Sequence, residues 1–372
     1  MSTTPNPSIS NGGIAYLEFE RPLEKIERQI EELEASQNVT GRDHSAMIRA
    51  VRAELLTARR KLYTKLDAWE TVQMARHPKR PLVPDYLNMM VRDFCELHGD
   101  KNFRDDRAII TGMGRVGNLK CMFIGHNKGK DTKERLENCF GMAHPEGYRK
   151  ALAKMKLAEK FGLPIVCLID TSGAYPGIGA EERGIAYAIA VNLMEMSRLR
   201  VPIVCAIIGE GGSGGALGIG VGDRVAIMEH AYYSVISPEG CAAILWKSAE
   251  HARTAAKALK FTSRELQKLK LIDEVIKEPL GGAHRDPATA AAALEEYIVN
   301  SLRDLKRVRI ETLLRRRYAR LRSIGSFFTS QDAAAVAPKA RGRNGSSVKR
   351  AKIVKTPPAE APAPAETDAV SA

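Results

Sequence analysis

The spacing of hydrophobic residues predicts two long helices near the start of the chain. From Pro22 to Ala35, leucine and isoleucine recur every three or four residues among charged ones, which is typical of a helix with one buried face. The same spacing extends from about Ser45 to Met74. Three prolines then interrupt any helix between Ala75 and Pro84. We expect residues 17–84 to form a helical arm and loop used for packing or assembly, preceded by a disordered segment at residues 1–16.

Two strand–turn–helix units follow in the middle of the chain. Pro164–Asp170 and Val201–Ile208 are continuous apolar runs, as expected of strands whose two faces are both covered. Each run is followed by a glycine-rich turn and a helical pattern. This alternation predicts an α/β fold with parallel strands. The predicted domain covers residues 85–325 and includes a β-hairpin at Arg107–Gly125.

The same periodicities predict the remaining elements of this domain. Helices are expected at Asp85–Leu97, Pro145–Phe161, Glu181–Arg198, Ala216–Val221, Ile244–Lys260, Ser263–Lys268 and Pro287–Arg322. Strands are expected at Arg224–Met228, Tyr233–Ile236 and Ile272–Ile276. A long basic helix therefore closes the predicted domain.

Composition narrows the class of protein. Of the 372 residues 44% are hydrophobic, which is enough for a buried core. No apolar run reaches the roughly 18 residues that a membrane-spanning helix needs. The first residues do not resemble a secretory signal, so we expect a cytoplasmic protein. Beyond Ser330 alanine, proline and lysine dominate, and we expect residues 326–372 to form a disordered tail.

The formal net charge of +13 indicates that the chain binds an acidic partner or ligand. Nucleic acid, a phosphate-bearing cofactor and an acidic partner protein would each account for it. A nucleic-acid-binding protein that uses the basic helix and the tail is thus an alternative to an enzyme. The six cysteines include no C-x-x-C pair and the histidines show no metal-ligand spacing, so we expect no metal on this chain.

The two glycine-rich turns form the candidate site. They are Thr171–Gly179 and Gly209–Gly215, and both follow predicted parallel strands at the end where α/β sheets bind ligands. A glycine turn that leads into a helix exposes backbone N–H groups, which stabilise a developing oxyanion. We expect glycine there because a Cβ would block close approach and because φ should be positive.

Other interpretations of Gly209–Gly215 stay open on pattern alone. The dinucleotide pattern G-x-G-x-x-G begins at Gly209, but a second copy begins at Gly112 inside the predicted hairpin. Ser213 lies in the pattern G-x-S-x-G of serine hydrolases, although no histidine–acid pair is evident downstream. The glycines could also serve close backbone packing alone. A phosphate-binding P-loop is disfavoured, because Gly214 is followed by Gly-Ala instead of Lys-Ser or Lys-Thr.

Several longer strings resemble those of one family. They are Ala75–Pro78, Gly141–Ala151, Asp170–Gly177, Gly179–Gly184, Gly209–Gly215, Tyr233–Lys247 and Glu278–Arg285. In these strings the chain is similar to the alpha subunits of bacterial acetyl-CoA carboxylase carboxyltransferases, over about Leu17 to Tyr318. Ser172 stands where the family is expected to have proline, and the tail after Ser330 has no counterpart in the family pattern.

The resemblance implies a crotonase-like fold, which is a β-β-α spiral, and a transferase activity. A carboxyl group would pass from carboxybiotin on a carrier protein to acetyl-CoA, giving malonyl-CoA in the first committed step of fatty acid synthesis. The implied partners are a beta subunit with a zinc ribbon, without which the chain is inactive, the biotin carboxyl carrier protein and biotin carboxylase. An assembly of two alpha and two beta subunits is expected, without membrane or nucleic acid.

The resemblance also implies roles for residues of the glycine turns. Gly214 and Gly215 would hold the biotin carbonyl oxygen, while the beta subunit stabilises the thioester enolate. Binding of the cofactor is expected at Gly211, Gly212, Gly173, Ala174 and Gly177. Valine at Gly214 or Gly215 is expected to slow turnover by roughly 10² without unfolding the chain.

Charged residues outside the turns have two interpretations. Candidate contacts for the phosphates of CoA are Lys128, Lys130, Lys133 and Arg135, although a solvated loop explains them equally well. Glu239 follows Ser237-Pro238 and is expected to be a helix N-terminal charge instead of a catalytic acid.

Overall fold

The computed structural model describes residues 8–9 and 15–325; the predicted disordered segments lie almost entirely outside them. Within these residues the helices are α1 Arg21–Thr40, α2 Ser45–Thr64, α3 Ala68–Ala75, α4 Val83–Met90, α5 Thr132–Glu137, α6 Pro145–Lys160, α7 Ile178–Glu182, α8 Ile185–Arg198, α9 Ser213–Leu217, α10 Pro238–Trp246, α11 Ala252–Leu259, α12 Ser263–Lys268, α13 Pro287–Lys306 and α14 Ile310–Arg322. The strands are β1 Ser8–Ile9, β2 Ala15–Tyr16, β3 Val91–Glu96, β4 Ile109–Val116, β5 Leu119–His126, β6 Ile165–Thr171, β7 Ile203–Gly212, β8 Arg224–Met228, β9 Tyr232–Ser234 and β10 Glu274–Ile276. None of the described helices is both long and apolar enough to cross a membrane.

A mixed β-sheet forms the centre of the fold. Over the described residues its strand order is β10-β8-β7-β6-β5-β4-β3, and β9 pairs with the end of β7. The neighbours β3, β4 and β5 are antiparallel, whereas the others pair in parallel. Every residue of β6 and β7 is buried, which explains their continuous apolar sequences. The predicted α/β class and the parallel pairing of these two strands are confirmed.

Strand β7 changes partners along its length. Residues 204–207 pair with both β6 and β8, whereas Glu210–Gly212 pair with β9. Gly211 also pairs with Thr171 at the end of β6, after a register shift that begins at Ile169. The ends of β6 and β7 are therefore adjacent, and α9 starts directly after β7.

The helical arm has a small core of its own. Leu23 and Ile30 of α1 pack with Ile48, Val51 and Leu55 of α2 in one buried cluster. The helix predicted from Pro22 is thus confirmed, and it packs against the helix that begins at Ser45. The proposed boundary between residues 17–84 and 85–325 stays a prediction.

Two predicted helices near the arm need correction. The helix that begins at Ser45 ends at Thr64, and α3 begins separately because the Asp67 side chain accepts the N–H of Glu70 and caps a new helix. The predicted helix at Asp85–Leu97 is helix only up to Met90 and then becomes β3. Pairing with β4 imposes the strand, and local periodicity does not show such long-range pairing.

Two predicted helices near the C-terminal end are also interrupted. The segment Ile244–Lys260 is divided between α10 and α11, and Pro287–Arg322 is divided between α13 and α14. The second break lets α14 pack separately, with Arg317 fully buried. Its guanidinium lies 2.7 Å from Asp223 and also donates to backbone carbonyl oxygens of residues 196, 199 and 201. Part of the basic face predicted for this helix is therefore structural.

Candidate functional site

The two glycine-rich segments meet backbone to backbone. A Cβ placed on Gly215 would lie 2.3 Å from the carbonyl carbon of Gly173. A Cβ placed on Gly212 would lie 2.1 Å from the carbonyl oxygen of Ser172. Only glycine permits so close an approach. The structure thus brings together the two segments that the sequence placed at neighbouring strand ends.

The second segment differs from the predicted turn in two respects. Strand β7 extends through Gly212 and α9 begins at Ser213, so much of the predicted turn is strand. The expectation of positive φ at these glycines is also wrong. In the segment Gly209–Gly215 the residue with positive φ is Ser213, at 49°. At Gly212 and Gly215, glycine is required by close packing and not by backbone conformation.

The packing also corrects one predicted mutant. Because a side chain on Gly215 would overlap the backbone of Gly173, valine at this position must displace one segment from the other. The expectation that such a variant stays folded is therefore wrong for Gly215. We call Gly212 and Gly215 the packed glycines.

Gly173 and Gly214, unlike the packed glycines, have room for a side chain. A Cβ on Gly214 would have Cδ1 of Ile189 as its nearest neighbour, at an ordinary contact distance of 3.6 Å, and one on Gly173 would meet nothing within 4 Å. Neither residue has a positive φ. The chain's own packing and backbone therefore do not require glycine at either position. We call Gly173 and Gly214 the open glycines.

The other predicted binding residues have close neighbours within the chain. Gly211 is buried, and a Cβ there would lie 2.8 Å from the ring of Tyr233. A Cβ on Gly177 would lie 2.4 Å from the ring of Tyr175. Ala174 is half-buried and packs against the main core. Their roles in binding stay predictions.

A cleft with a volume of about 1020 Å³ lies beside the glycine segments. Ser172 and Ser213 line it, one from each segment. The apolar part of its lining includes Leu82, Phe140, Met142, Val235 and Ile236. The charged part includes Arg76, Lys128, Arg135, Asp170, Glu210 and Glu239. The cleft can therefore hold a mainly apolar group with a polar edge.

Buried ion pairs connect the ends of β6 and β7 beside the cleft. The Nζ of Lys128 lies 2.7 Å from Asp170 and 2.6 Å from Glu210. Asp170 also accepts the backbone N–H of Glu210 at 2.9 Å. Arg76 lies 2.7 Å from Glu210 and 2.6 Å from Glu239. These contacts fix the two strand ends relative to each other.

The ion pairs shift the pKa values of Glu210 and Lys128 more than burial does, and in the opposite direction. Burial alone would raise the pKa of Glu210, but Lys128 and Arg76 hold that pKa well below its usual range. Burial alone would lower the pKa of Lys128, but Asp170 and Glu210 raise it. Protonated Lys128 has no lone pair to accept a proton, and the lowered pKa of Glu210 makes its carboxylate a weak base, so neither is suited to serve as a general base.

These contacts revise the interpretation of the basic loop. Lys128 is neither solvated nor free for a phosphate, because two carboxylates neutralise it. Lys130 pairs with Asp85 at 2.6 Å, Lys133 is exposed and Arg135 lines the cleft. Glu239 lies in the first turn of α10, as predicted, and there it pairs with Arg76.

Sequence reasoning missed one cluster of potential metal ligands. In the described part of the chain, Glu20, His77 and His284 have ligand atoms within 4.8 Å of one another. The two imidazole rings are stacked with centroids 3.8 Å apart, so their in-plane lone pairs do not converge on one point. Glu20 accepts the N–H of Leu17 at 2.7 Å, and Arg285 lies 3.8 Å away. This geometry suits a structural cluster, and the absence of a metal stays a prediction.

Comparison with known proteins identifies similar sequences. The sequence model of the family described as acetyl co-enzyme A carboxylase carboxyltransferase-like matches residues 16–325. Over 311 residues the chain is 53% identical to the acetyl-coenzyme A carboxylase carboxyl transferase subunit alpha of Rhodopirellula baltica, covering 84% of this chain and 97% of that protein. The protein of the same name from Edwardsiella ictaluri is 51% identical over 313 residues, covering 83% and 98%.

Solved structures give more distant matches. Transcarboxylase 12S matches with a TM-score of 0.47 and 19% identity, over 59% of this chain and 42% of that one. The Pseudomonas malonate decarboxylase MdcD-MdcE hetero-dimer matches with a TM-score of 0.46 and 14% identity, over 53% and 81%. The mixed α/β sheet agrees with the crotonase-like fold that the motifs implied. On the sequence matches, which confirm the resemblance seen in the motifs, the chain belongs to the acetyl co-enzyme A carboxylase carboxyltransferase-like family.

Proposed function

We propose that this chain supplies the biotin-side half of a carboxyltransferase active site. A carboxyl group passes from carboxybiotin, held on a carrier protein, to acetyl-CoA, and the product is malonyl-CoA, the first committed intermediate of fatty acid synthesis. The observation that carries the proposal is the pair of open glycines, Gly173 and Gly214, each of which directly follows a serine that lines the cleft. Close approach of a ligand to the backbone explains why these positions lack a side chain.

The chain acts through backbone donors. Carboxybiotin supplies the carboxyl group and a ureido oxygen that serves as the base. The N–H groups of Gly214 and Gly215 donate to that oxygen, and the loss of one such donor costs about 3 kcal/mol of barrier. Gly173, Ala174 and Gly177 form the facing segment, and Gly211 and Gly212 support the donors from within β7. No side-chain base is needed, in agreement with the ion pairs that hold the charged side chains of the cleft.

The cleft suits the bicyclic ring of biotin. Its volume of about 1020 Å³ exceeds what the ring needs, and Leu82, Met142 and Ile236 give it an apolar wall. The charges of Lys128 and Arg76 are already compensated by carboxylates, so they do not demand an anionic ligand. The largely apolar biotin ring, with its urea and carboxyl groups at one edge, therefore fits better than a phosphate.

A beta subunit completes the site in this proposal. Ile178, Tyr187 and Val235 are 78%, 76% and 76% exposed, and they lie on segments that follow β6 and β9. Exposed apolar side chains on neighbouring elements are typical of a protein interface. The beta subunit, with its zinc ribbon, stabilises the thioester enolate and pairs with the chain in an assembly of two alpha and two beta subunits. The biotin carboxyl carrier protein, biotin carboxylase and a cytoplasmic location belong to the same proposal.

Reconstitution tests this function. The purified chain is mixed with its cognate beta subunit, the complex is verified by size-exclusion chromatography, and acetyl-CoA is supplied with carboxybiotin on the carrier protein. Malonyl-CoA is expected only when both subunits are present. The controls are each subunit alone. A verified complex that produces no malonyl-CoA would contradict the proposal.

A further inference from the structure

Three consecutive residues at the edge of the cleft have a left-handed backbone. Cys139, Phe140 and Gly141 have φ angles of 48°, 56° and 77°. Glycine adopts this conformation freely, whereas the Cβ atoms of Cys139 and Phe140 make it unfavourable. Such strain persists where the surrounding structure imposes it, and it is concentrated at functional sites.

Contacts of this backbone segment reach the end of β6 and a lysine that lines the cleft. The Oγ1 of Thr171, at the end of β6, donates to the carbonyl oxygen of Gly141 at 2.7 Å. The N–H of Gly141 donates to the carbonyl oxygen of Asn138 at 2.9 Å. A Cβ on Gly141 would lie 2.9 Å from Cγ of Lys128, whose ammonium joins the buried ion pairs. The strained backbone is therefore tied to the same strand end that carries the first glycine segment.

This backbone holds an aromatic side chain out of the core. Phe140 is 47% exposed and lines the cleft, although Asn138 and Ala143 on either side are buried. Among the described residues Phe140 has no aromatic or cationic partner. The exposed rings of Phe103 and Phe161, in contrast, each lie under a cation, 4.8 Å from Arg183 and 6.0 Å from Lys160. The strained backbone therefore holds the ring of Phe140 at the cleft, where no other aromatic ring or cation of the described residues packs against it.

We propose that Phe140 is a specificity-determining residue that contacts the ring system of the biotin substrate. This inference rests on the proposed function and adds a contact to it. The aromatic ring offers an apolar face to the saturated, sulfur-containing ring, and contacts between sulfur and aromatic rings are favourable. The urea edge of the substrate remains available to the backbone N–H groups.

The test uses the complex with the beta subunit and biocytin, which is biotin joined to lysine, as the acceptor. A C–C bond of malonyl-CoA breaks and a C–N bond to biocytin forms, while the displaced ureido proton goes to the methyl group of acetyl-CoA. F140A is expected to raise the KM for biocytin about 10-fold, as the loss of one apolar contact does, with the KM for malonyl-CoA unchanged. The control is F161A, which removes a similarly exposed ring outside the cleft lining and should change neither KM.

A second variant separates ligand contact from a structural role. Glycine is unstrained at positive φ, so F140G should melt at a higher temperature than F140A and yet show the same raised KM for biocytin. An active wild-type complex with an unchanged KM in F140A would overturn the inference while leaving the proposed function standing. Loss of the beta subunit from F140A on size-exclusion chromatography would also overturn it, because Phe140 would then be a partner contact.

Binding measured by calorimetry distinguishes the two proposals when turnover is absent. An inactive wild-type complex that binds biocytin, more weakly in F140A, would contradict the proposed function and support the contact. An inactive complex that does not bind biocytin would overturn both.

Discussion

The packed glycines and the open glycines lie in the two segments that meet at the ends of β6 and β7, and they have different roles. At Gly212 and Gly215 the two segments touch, and a side chain would overlap backbone atoms at 2.1 and 2.3 Å. At Gly173 and Gly214 a Cβ would find ordinary contact or open space. The comparison shows that one run of glycines combines positions that the fold needs with positions that only a ligand explains. Variants at the two kinds of position should therefore separate stability from activity.

The largest effect is expected for the packed glycines. In G215V the new side chain would overlap the backbone of Gly173, so the two segments must separate. We expect a loss of more than about 4 kcal/mol in the free energy of unfolding and no activity. Thermal unfolding followed by circular dichroism measures the first, and malonyl-CoA formation measures the second. A G215V chain that melts like the wild type would contradict the packing described here.

The ion pairs behind the packed glycines should produce the next largest effect. E210Q leaves Lys128 and Arg76 with one counter-charge fewer, which should cost about 3 kcal/mol near neutral pH. Because the pKa of Glu210 is lowered in the folded chain, its charge stabilises the fold above its ordinary pKa of 4.5, and this contribution is lost as the pH falls below that value.

The pH dependence gives a check on this prediction. The difference in the free energy of unfolding between E210Q and the wild type should shrink as the pH falls from about 5 towards about 3. Urea unfolding at several pH values measures it. A difference that stays constant over this range would show that the ion pairs are not its source.

A smaller effect is expected at the open glycine of the first segment. G173A adds a methyl group that meets no atom of the chain within 4 Å, so the melting temperature should be unchanged. Because this segment faces the donors without supplying one, we expect turnover to fall only about 10-fold, through a higher KM for the biotin substrate. A lower melting temperature with normal turnover would place Gly173 among the packed glycines.

The sheet could be predicted from the sequence better than the contacts around it. The apolar runs of β6 and β7 revealed buried parallel strands, and their order placed both glycine segments at one edge. Strand β3 was missed because its pairing with β4 decides its conformation, while no glycine or proline separates it from α4. Arg76 and Glu210 are 134 positions apart, and no local pattern marks either as a partner of the other.

The sequence alone also could not distinguish the packed glycines from the open glycines. Gly214 and Gly215 are adjacent and identical in type, and only the atoms opposite each of them distinguish their roles. The positive φ expected at a glycine falls on Ser213 instead, because the backbone turns where β7 passes into α9. The motif therefore predicted where the site lies, but only the tertiary contacts show which of its glycines the packing requires.

The central claim is that Gly214 lacks a side chain for the sake of a ligand. The most direct measurement is the turnover of G214A in the complex with the beta subunit, taken together with its melting temperature. The methyl group has room in the chain, since its nearest neighbour would be 3.6 Å away, and alanine favours the helix α9. We therefore expect an unchanged or slightly higher melting temperature with turnover reduced by roughly 10². Turnover equal to that of the wild type in a folded, assembled G214A complex would contradict the claim.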